Sequence, residues 1–150
     1  MGPTVRGFFP RVLGRDLLVG LMGYDPLMQF LHEDDALTAM VKSIWEDHQG
    51  AFNIVGDGVL YLSDVARLGG RLSLKLPHLL LQPVTNVLWG AQVVDIPGNF
   101  LDFFRYSWCG DDTRMREVMG FFPQRSSRAA LIDHFATTGR NARAGAAHGL

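Results

Sequence analysis

Helical patterning with too few strands to cover it is the feature that most constrains this chain. Leu37, Met40, Val41, Ile44 and Trp45 recur at helical spacing on one face. Asp34 or Asp35 is placed to accept the free backbone N–H groups of a first turn, and Gly50 suits the left-handed position that ends a helix. A short helix is expected from Ser63 to Gly69-Gly70, and a longer stretch from about His78 to Val94, bent at Pro83. Asp111 or Asp112 opens another helix, with Met115, Val118 and Met119 inward and Gly120 at its end. Ser126 or Ser127 opens the last, with Ala130, Leu131, His134 and Phe135 on one stripe. Strand patterns are few. Ala51 to Val55 is one, with Phe52 and Ile54 on one side; Leu72, Leu74 and Leu76 form a half-buried second, stopped by Pro77. Amphipathic helices with one or two strands to pack on leave apolar faces bare. The pattern implies packing against a larger sheet than these residues supply.

The first 28 residues, rich in Gly, Pro and Phe, read as irregular with one short helix or strand, and 139–150 reads as a flexible Gly/Ala/Arg tail behind a region spanning 1–138. Hydrophobic residues make up 47% of the 150, enough for a core. A formal net charge of -1 gives no pull toward nucleic acid or an anionic membrane. The stretch from Leu79 to Val94 is the most apolar, but Gln82, Pro83, Thr85, Asn86 and Gln92 interrupt it, so a buried or pocket-lining helix is expected rather than a membrane span. A lone cysteine, Cys109, cannot form an internal disulfide, which together with the absence of a signal-peptide pattern after Met1 points to the cytoplasm.

Gln29-Phe30-Leu31-His32-Glu33-Asp34-Asp35, then Phe52-Asn53-Ile54 with Gly56-Asp57-Gly58, then Asp112-Thr113 through Gly120-Phe121-Phe122-Pro123 follow one another in an order that resembles the NAD-dependent epimerase/dehydratase family, the extended short-chain dehydrogenases/reductases (SDR). Gln29-Phe30-Leu31-His32-Glu33-Asp34-Asp35 is similar to that family's aromatic–apolar–His–x–x–Asp stretch before a late helix. Phe52-Asn53-Ile54 with the turn Gly56-Asp57-Gly58, then Leu62-Ser63, resembles the passage after it. Asp112-Thr113 through Gly120-Phe121-Phe122-Pro123 to Leu131 resembles the closing element. The resemblance implies an α/β fold (α+β-like in isolation), helix-rich with a few short strands: the C-terminal portion of a Rossmann-type extended SDR, without its N-terminal cofactor-binding half. It implies a parent activity of NAD(P)-linked oxidoreduction at a hydroxyl of a nucleotide sugar or similar small molecule.

The departures are as informative. That family cradles the dinucleotide pyrophosphate on a glycine-rich turn at a helix N-terminus. Here Gly20 and Gly23 are followed by Pro26 where a third glycine belongs, and Gly56 and Gly58 by Tyr61. The catalytic Tyr-x-x-x-Lys pair is absent too: Met28, Val65 and Gly110 stand four after Tyr24, Tyr61 and Tyr106. The resemblance therefore implies no catalytic residue and no NAD(P) site in this chain alone. The parent family's cofactor and chemistry would need an N-terminal SDR half as partner. The other expectation is a homo-oligomeric binding module derived from that fold.

Substrate contacts implied by the resemblance fall on Thr4, Gln29, Phe30, His32 and Arg105. Arg105 stands shortly before the closing Asp-Thr helix, where nucleotide-sugar members hold the diphosphate, and a forked guanidinium matches phosphate oxygens. Against these stand plainer readings: His32 as a structural histidine beside a helix cap, Asp35 as the cap, and Arg105 packed on Phe104 or Tyr106. The stretch of Phe100, Phe103, Phe104, Tyr106 and Trp108 reads as core before it reads as a base-stacking platform. Cys109, with no basic residue beside it, reads as a buried thiol. The five histidines show no ligand spacing, so no metal site is expected.

Overall fold

The computed structural model describes residues 1–2, 12–13, 16–93 and 105–147, with the side chains of Leu81 and of 138–147 outside the description. The chain forms two compact units interleaved in sequence. One comprises Met1–Val5, Gln29–Val59 and Cys109–Leu150; the other comprises Arg6–Met28 and Leu60–Trp108.

In the second unit, strand β1 (Leu17–Leu21) pairs in parallel with β4 (Leu72–Leu76), from Leu17 against Leu72 to Leu21 against Leu76. A parallel pair needs a crossover, and the intervening chain supplies β2 (Leu27–Met28), its antiparallel partner β3 (Leu60–Tyr61) and helix α2 (Leu62–Leu68). Val12, Leu13, Leu18, Val19, Met28, Leu62, Val65 and Ala66 are among its buried apolar side chains. The expected cap at Ser63 is displaced by two positions. Tyr61 precedes the helix without a side-chain bond, and the Ser63 N–H goes to Asp25 Oδ1 at 3.1 Å. Helix α3 (His78–Gly90) contains Pro83. It corrects the expectation of a buried helix: Leu79, Leu80, Val87 and Trp89 are exposed, and Thr85 is fully buried.

In the first unit, helix α1 (Glu33–Trp45) is followed by the extended residues 51–56, helix α4 (Thr113–Glu117) and helix α5 (Ser127–Ala147). Helix α5 runs past Gly139, where the sequence placed the start of a loose tail. The core joins Ala39, Met115, Met119 and Phe121, with Phe52, Ile54 and Val55 packed on it. Phe52 and Ile54 thus share a side, as alternation predicts, yet Ala51 to Val55 is not a strand. No backbone hydrogen bond runs from it to another described segment, and a strand exists only by pairing. Two apolar expectations also reverse. Val118 is exposed while Met115 and Met119 are buried, because the helix ends at Glu117 and the chain turns out of register with its stripe. On α1, Leu37, Met40, Val41, Ile44 and Trp45 face solvent, and the unit's own core takes Asp35 and Ala39 instead.

Arg116 ties α4 to the glycine turn, donating from Nε to Asp112 Oδ2 at 2.6 Å and from Nη2 to Asp57 Oδ1 at 2.8 Å. These bonds, that to Asp112 first, hold its guanidinium above the ordinary arginine range.

Met115 is fully buried in this core, so Met115→Ala should cost about 2–5 kcal/mol in urea unfolding. Val118→Ala, three residues on and exposed, should change stability by less than about 0.5 kcal/mol.

Candidate functional site

The segment 29–35 carries three of the expected site residues, Gln29, Phe30 and His32, and it buries Phe30, His32 and Asp35 while Asp34 faces solvent. Gln29 bridges two loops: its Nε2 donates to the Gly56 carbonyl at 2.7 Å and its Oε1 accepts the Gly110 N–H at 3.0 Å. Phe30 is buried, and its N–H donates to Ser127 Oγ at 3.1 Å. The same hydroxyl donates to the Gly58 carbonyl at 2.6 Å. Backbone packs so closely here that a Cβ on Gly56 would overlap the Phe30 carbonyl; this glycine is needed for approach rather than for phosphate.

His32 is 1% exposed and is itself the N-cap of α1, its Nδ1 accepting the Asp34 N–H at 3.1 Å. The expected cap at Asp34 or Asp35 is thereby corrected. With Nδ1 as acceptor, the ring proton sits on Nε2. That nitrogen is 3.4 Å from Asp133 Oδ2 and 2.9 Å from Arg125 Nη1. Two donors cannot bond each other, so Asp133 Oδ2, 2.5 Å from Arg125 Nη1, takes both. Arg125 Nη2 also lies 3.3 Å from Asp34 Oδ2. Asp35, freed from capping its own helix, is buried and accepts the backbone N–H groups of Gln124 at 3.0 Å and Arg125 at 3.1 Å. Reading the sequence missed Arg125 and Asp133 and saw Ser127 only as a helix start, because these bonds span about ninety residues and no local spacing signals them.

Beside this brace, a cavity of about 420 Å³ lies between α1 (Ala36, Ala39, Met40, Ser43) and Phe52 and Ile54. Its lining is mainly apolar. His48, which also lines it, donates from Nε2 to Glu46 Oε2 at 2.9 Å and meets the Phe52 ring edge-on.

Arg105 belongs to the second unit. Residues 107–108 run along β2: the Trp108 N–H donates to the Leu27 carbonyl at 2.7 Å and Ser107 Oγ accepts the Leu27 N–H at 3.2 Å. That pairing positions Arg105, half-buried, with its Nη2 against His78 Nε2. Tyr24 reaches the same stretch, its hydroxyl 3.1 Å from Ser107 Oγ. Thr4, Phe100, Phe103 and Phe104 lie outside the described residues. Cys109 is exposed, correcting the expected buried thiol. Among the described residues no three His, Cys, Asp or Glu side chains are grouped to hold a metal ion, and no helix is long and apolar enough to cross a membrane.

No protein-family model matches the sequence. Uncharacterized proteins of Mycobacterium tuberculosis and Mycobacterium bovis are 29% identical over 135 residues, 90% of this chain and 36% of theirs. The chain thus spans about a third of the length of these relatives. Among solved structures, UDP-glucuronic acid 4-epimerase from Bacillus cereus, in complex with NAD, superposes with a TM-score of 0.56 at 14% identity, covering 93% of this chain and 42% of that one. UDP-N-acetylglucosamine 4-epimerase from Bacillus cereus gives 0.55 at 16%, covering 87% and 41%. The fold class expected from the sequence, helix-rich α/β with few short strands as in the C-terminal portion of extended SDR structures, is the one the chain has.

Asp35→Ala should destabilise the chain by about 2–4 kcal/mol in chemical denaturation, since it strands two backbone donors. Asp34→Ala, on an exposed carboxylate, should cost about 1 kcal/mol or less.

Proposed function

We propose that this chain supplies the substrate-facing part of an NAD-dependent epimerase- or dehydratase-type oxidoreductase whose substrate is a nucleotide sugar or a similar hydroxyl-bearing small molecule. The observation that carries this reading is the fold likeness, over nearly the whole chain, to UDP-sugar 4-epimerases. The three ordered sequence passages support it independently of the coordinates. In this reading Arg105 is the residue that meets the diphosphate, because a half-exposed guanidinium offers a fork of donors to phosphate oxygens.

The NAD(P) of such enzymes does not fit the glycine turns described here. A dinucleotide pyrophosphate needs closely approachable backbone amides at a helix N-terminus. Gly23, at φ 83°, lies in a turn that leads into β2 and not into a helix. Gly56 is filled by the Phe30 carbonyl, and the chain beyond Gly58 enters β3. Hydride chemistry therefore belongs to another polypeptide segment, one carrying the glycine-rich turn and a Tyr-x-x-x-Lys pair. Gln29, Phe30 and His32 act in this reading as the frame behind a substrate wall, since their polar groups are already bonded within the protein. A second reading, a non-catalytic binding or dimerisation module, is favoured by the bare apolar face of α1.

Titration of the purified chain separates these readings. NADH fluorescence should show no saturable binding up to about 1 mM. UDP should bind in calorimetry with a dissociation constant near the millimolar range, weakened about tenfold or more by Arg105→Ala, as loss of a charge-assisted phosphate contact predicts. Saturable micromolar NADH binding would sink the proposal, as would UDP binding that ignores Arg105.

A further inference from the structure

Two basic side chains meet in the second unit, Arg105 Nη2 against His78 Nε2. A guanidinium can only donate. Nε2 therefore accepts, and the ring is neutral in this contact, with its proton on Nδ1. Separate elements bring the pair together. His78 is the first residue of α3 and follows Pro77, which comes directly after the carboxyl end of β4. Arg105 is fixed by the pairing of Trp108 with Leu27 of β2. Strand β4 runs parallel to β1, and the space beyond the carboxyl ends of parallel strands is where open α/β sheets receive ligands. Both residues belong to one unit, so their contact is independent of what precedes or follows the chain.

We propose that His78 is a second ligand for the diphosphate, held by Arg105 until phosphate oxygens take that guanidinium. The inference rests on the reading of Arg105 as a diphosphate contact and adds to it a residue and a proton. Neighbouring cations of the unit lie beside carboxylates: Arg67 is 3.2 Å from Asp64, Arg71 is 2.8 Å from Asp16, and Lys75 is 3.7 Å from Asp25. His78 differs, because its described partner is a guanidinium. When phosphate takes the Arg105 donors, the Nε2 lone pair loses its partner as negative charge arrives beside it. Proton uptake at Nε2 answers both changes. The ring becomes a second charge-assisted donor, and an anion shared by two cations replaces a contact between two basic groups. The proton comes from solvent, since His78 is exposed. Among the described residues the other titratable groups nearby are Tyr106, beside Arg105, and Lys75 of β4 with Asp25. Strand β1, on which α3 packs, is Leu-Leu-Val-Gly-Leu and contributes none.

UDP-glucose is the probe, because its diphosphate, unlike the terminal phosphate of UDP, does not titrate near neutral pH. Calorimetry on the 150-residue chain should show binding about fivefold to tenfold tighter at about pH 6 than at about pH 8, the range over which an imidazole loses its charge. Uptake of about one proton per ligand should appear as a difference between buffers of unlike ionisation enthalpy. His78→Gln keeps a donor but cannot titrate, so it should bind equally at both pH values with unchanged circular dichroism. The same coupling is reciprocal: in the unaltered chain the His78 ring resonance should titrate at higher pH with UDP-glucose bound, a shift that a merely structural histidine does not give. If Arg105→Ala weakens binding while His78→Gln keeps the full pH dependence, the inference is overturned and the functional reading stands. A His78 resonance that ignores UDP-glucose would have the same meaning. Binding that ignores Arg105, or no binding at either pH, would overturn both.

Discussion

The first unit depends on a buried carboxylate that spans the chain. Asp35 sits in the first turn of α1 and binds the backbone N–H groups of Gln124 and Arg125. A carboxylate taken out of water is costly unless each lone pair it turns inward meets a donor. Here the donors are two consecutive amides, those of Gln124 and Arg125. Each side therefore satisfies the other, and the loop before α5 cannot leave α1 without stranding both. His32 and Ser127 complete the same logic one step out: His32 caps α1, and Ser127 joins the Phe30 amide to the Gly58 carbonyl. Side chains thus hold backbone groups of Phe30, Asp34, Gly58, Gln124 and Arg125 that no strand pairs.

That economy explains why the residues singled out for substrate contact occupy the interior. Gln29 has an amide with one donor end and one acceptor end, and each meets a loop: Gly56 on one side and Gly110 on the other. Side chains so engaged are costly to redirect toward a ligand. Arg105 differs, because it lies half-exposed on a segment fixed by main-chain pairing to β2. A guanidinium held from its backbone, with part of its surface in solvent, can change hydrogen-bond partners without unravelling a core.

Much of the secondary structure was legible in the residues, and the errors have physical causes. The alternation from Leu72 to Leu76 and the stop at Pro77 gave β4, and the stripe of Ala130, Leu131 and His134 gave the buried face of α5. Periodicity reports which side chains share a face, however, and not what covers that face. On α1 it found the apolar stripe and assigned it to the core, whereas the unit's own core uses Ala39 on another side of the helix. Ala51 to Val55 has strand-like alternation, but no described segment pairs with it. The helix caps show the limit of local rules: an Asp beside a helix start was read as its cap, and a long-range demand for that carboxylate displaced the role onto His32. Nothing within ten residues of Asp35 encodes the amides of 124 and 125.

Two of the misread elements, α1 and the segment after it, fail in the same direction. Both have the composition of interior structure, yet α1 leaves five large apolar side chains exposed and Ala51 to Val55 pairs with no described segment. A helix apolar over its exposed arc and again where Ala39 enters the core is built to lie between two layers. One layer is the cluster around Met115 and Phe121. On the other side Ile44 and Trp45 are exposed, and no second layer covers them among the described residues. At about 25 cal/mol for each Å² of apolar surface removed from water, covering these side chains yields gross stabilisation on the order of 15 kcal/mol. Much of that offsets the freedom lost on association.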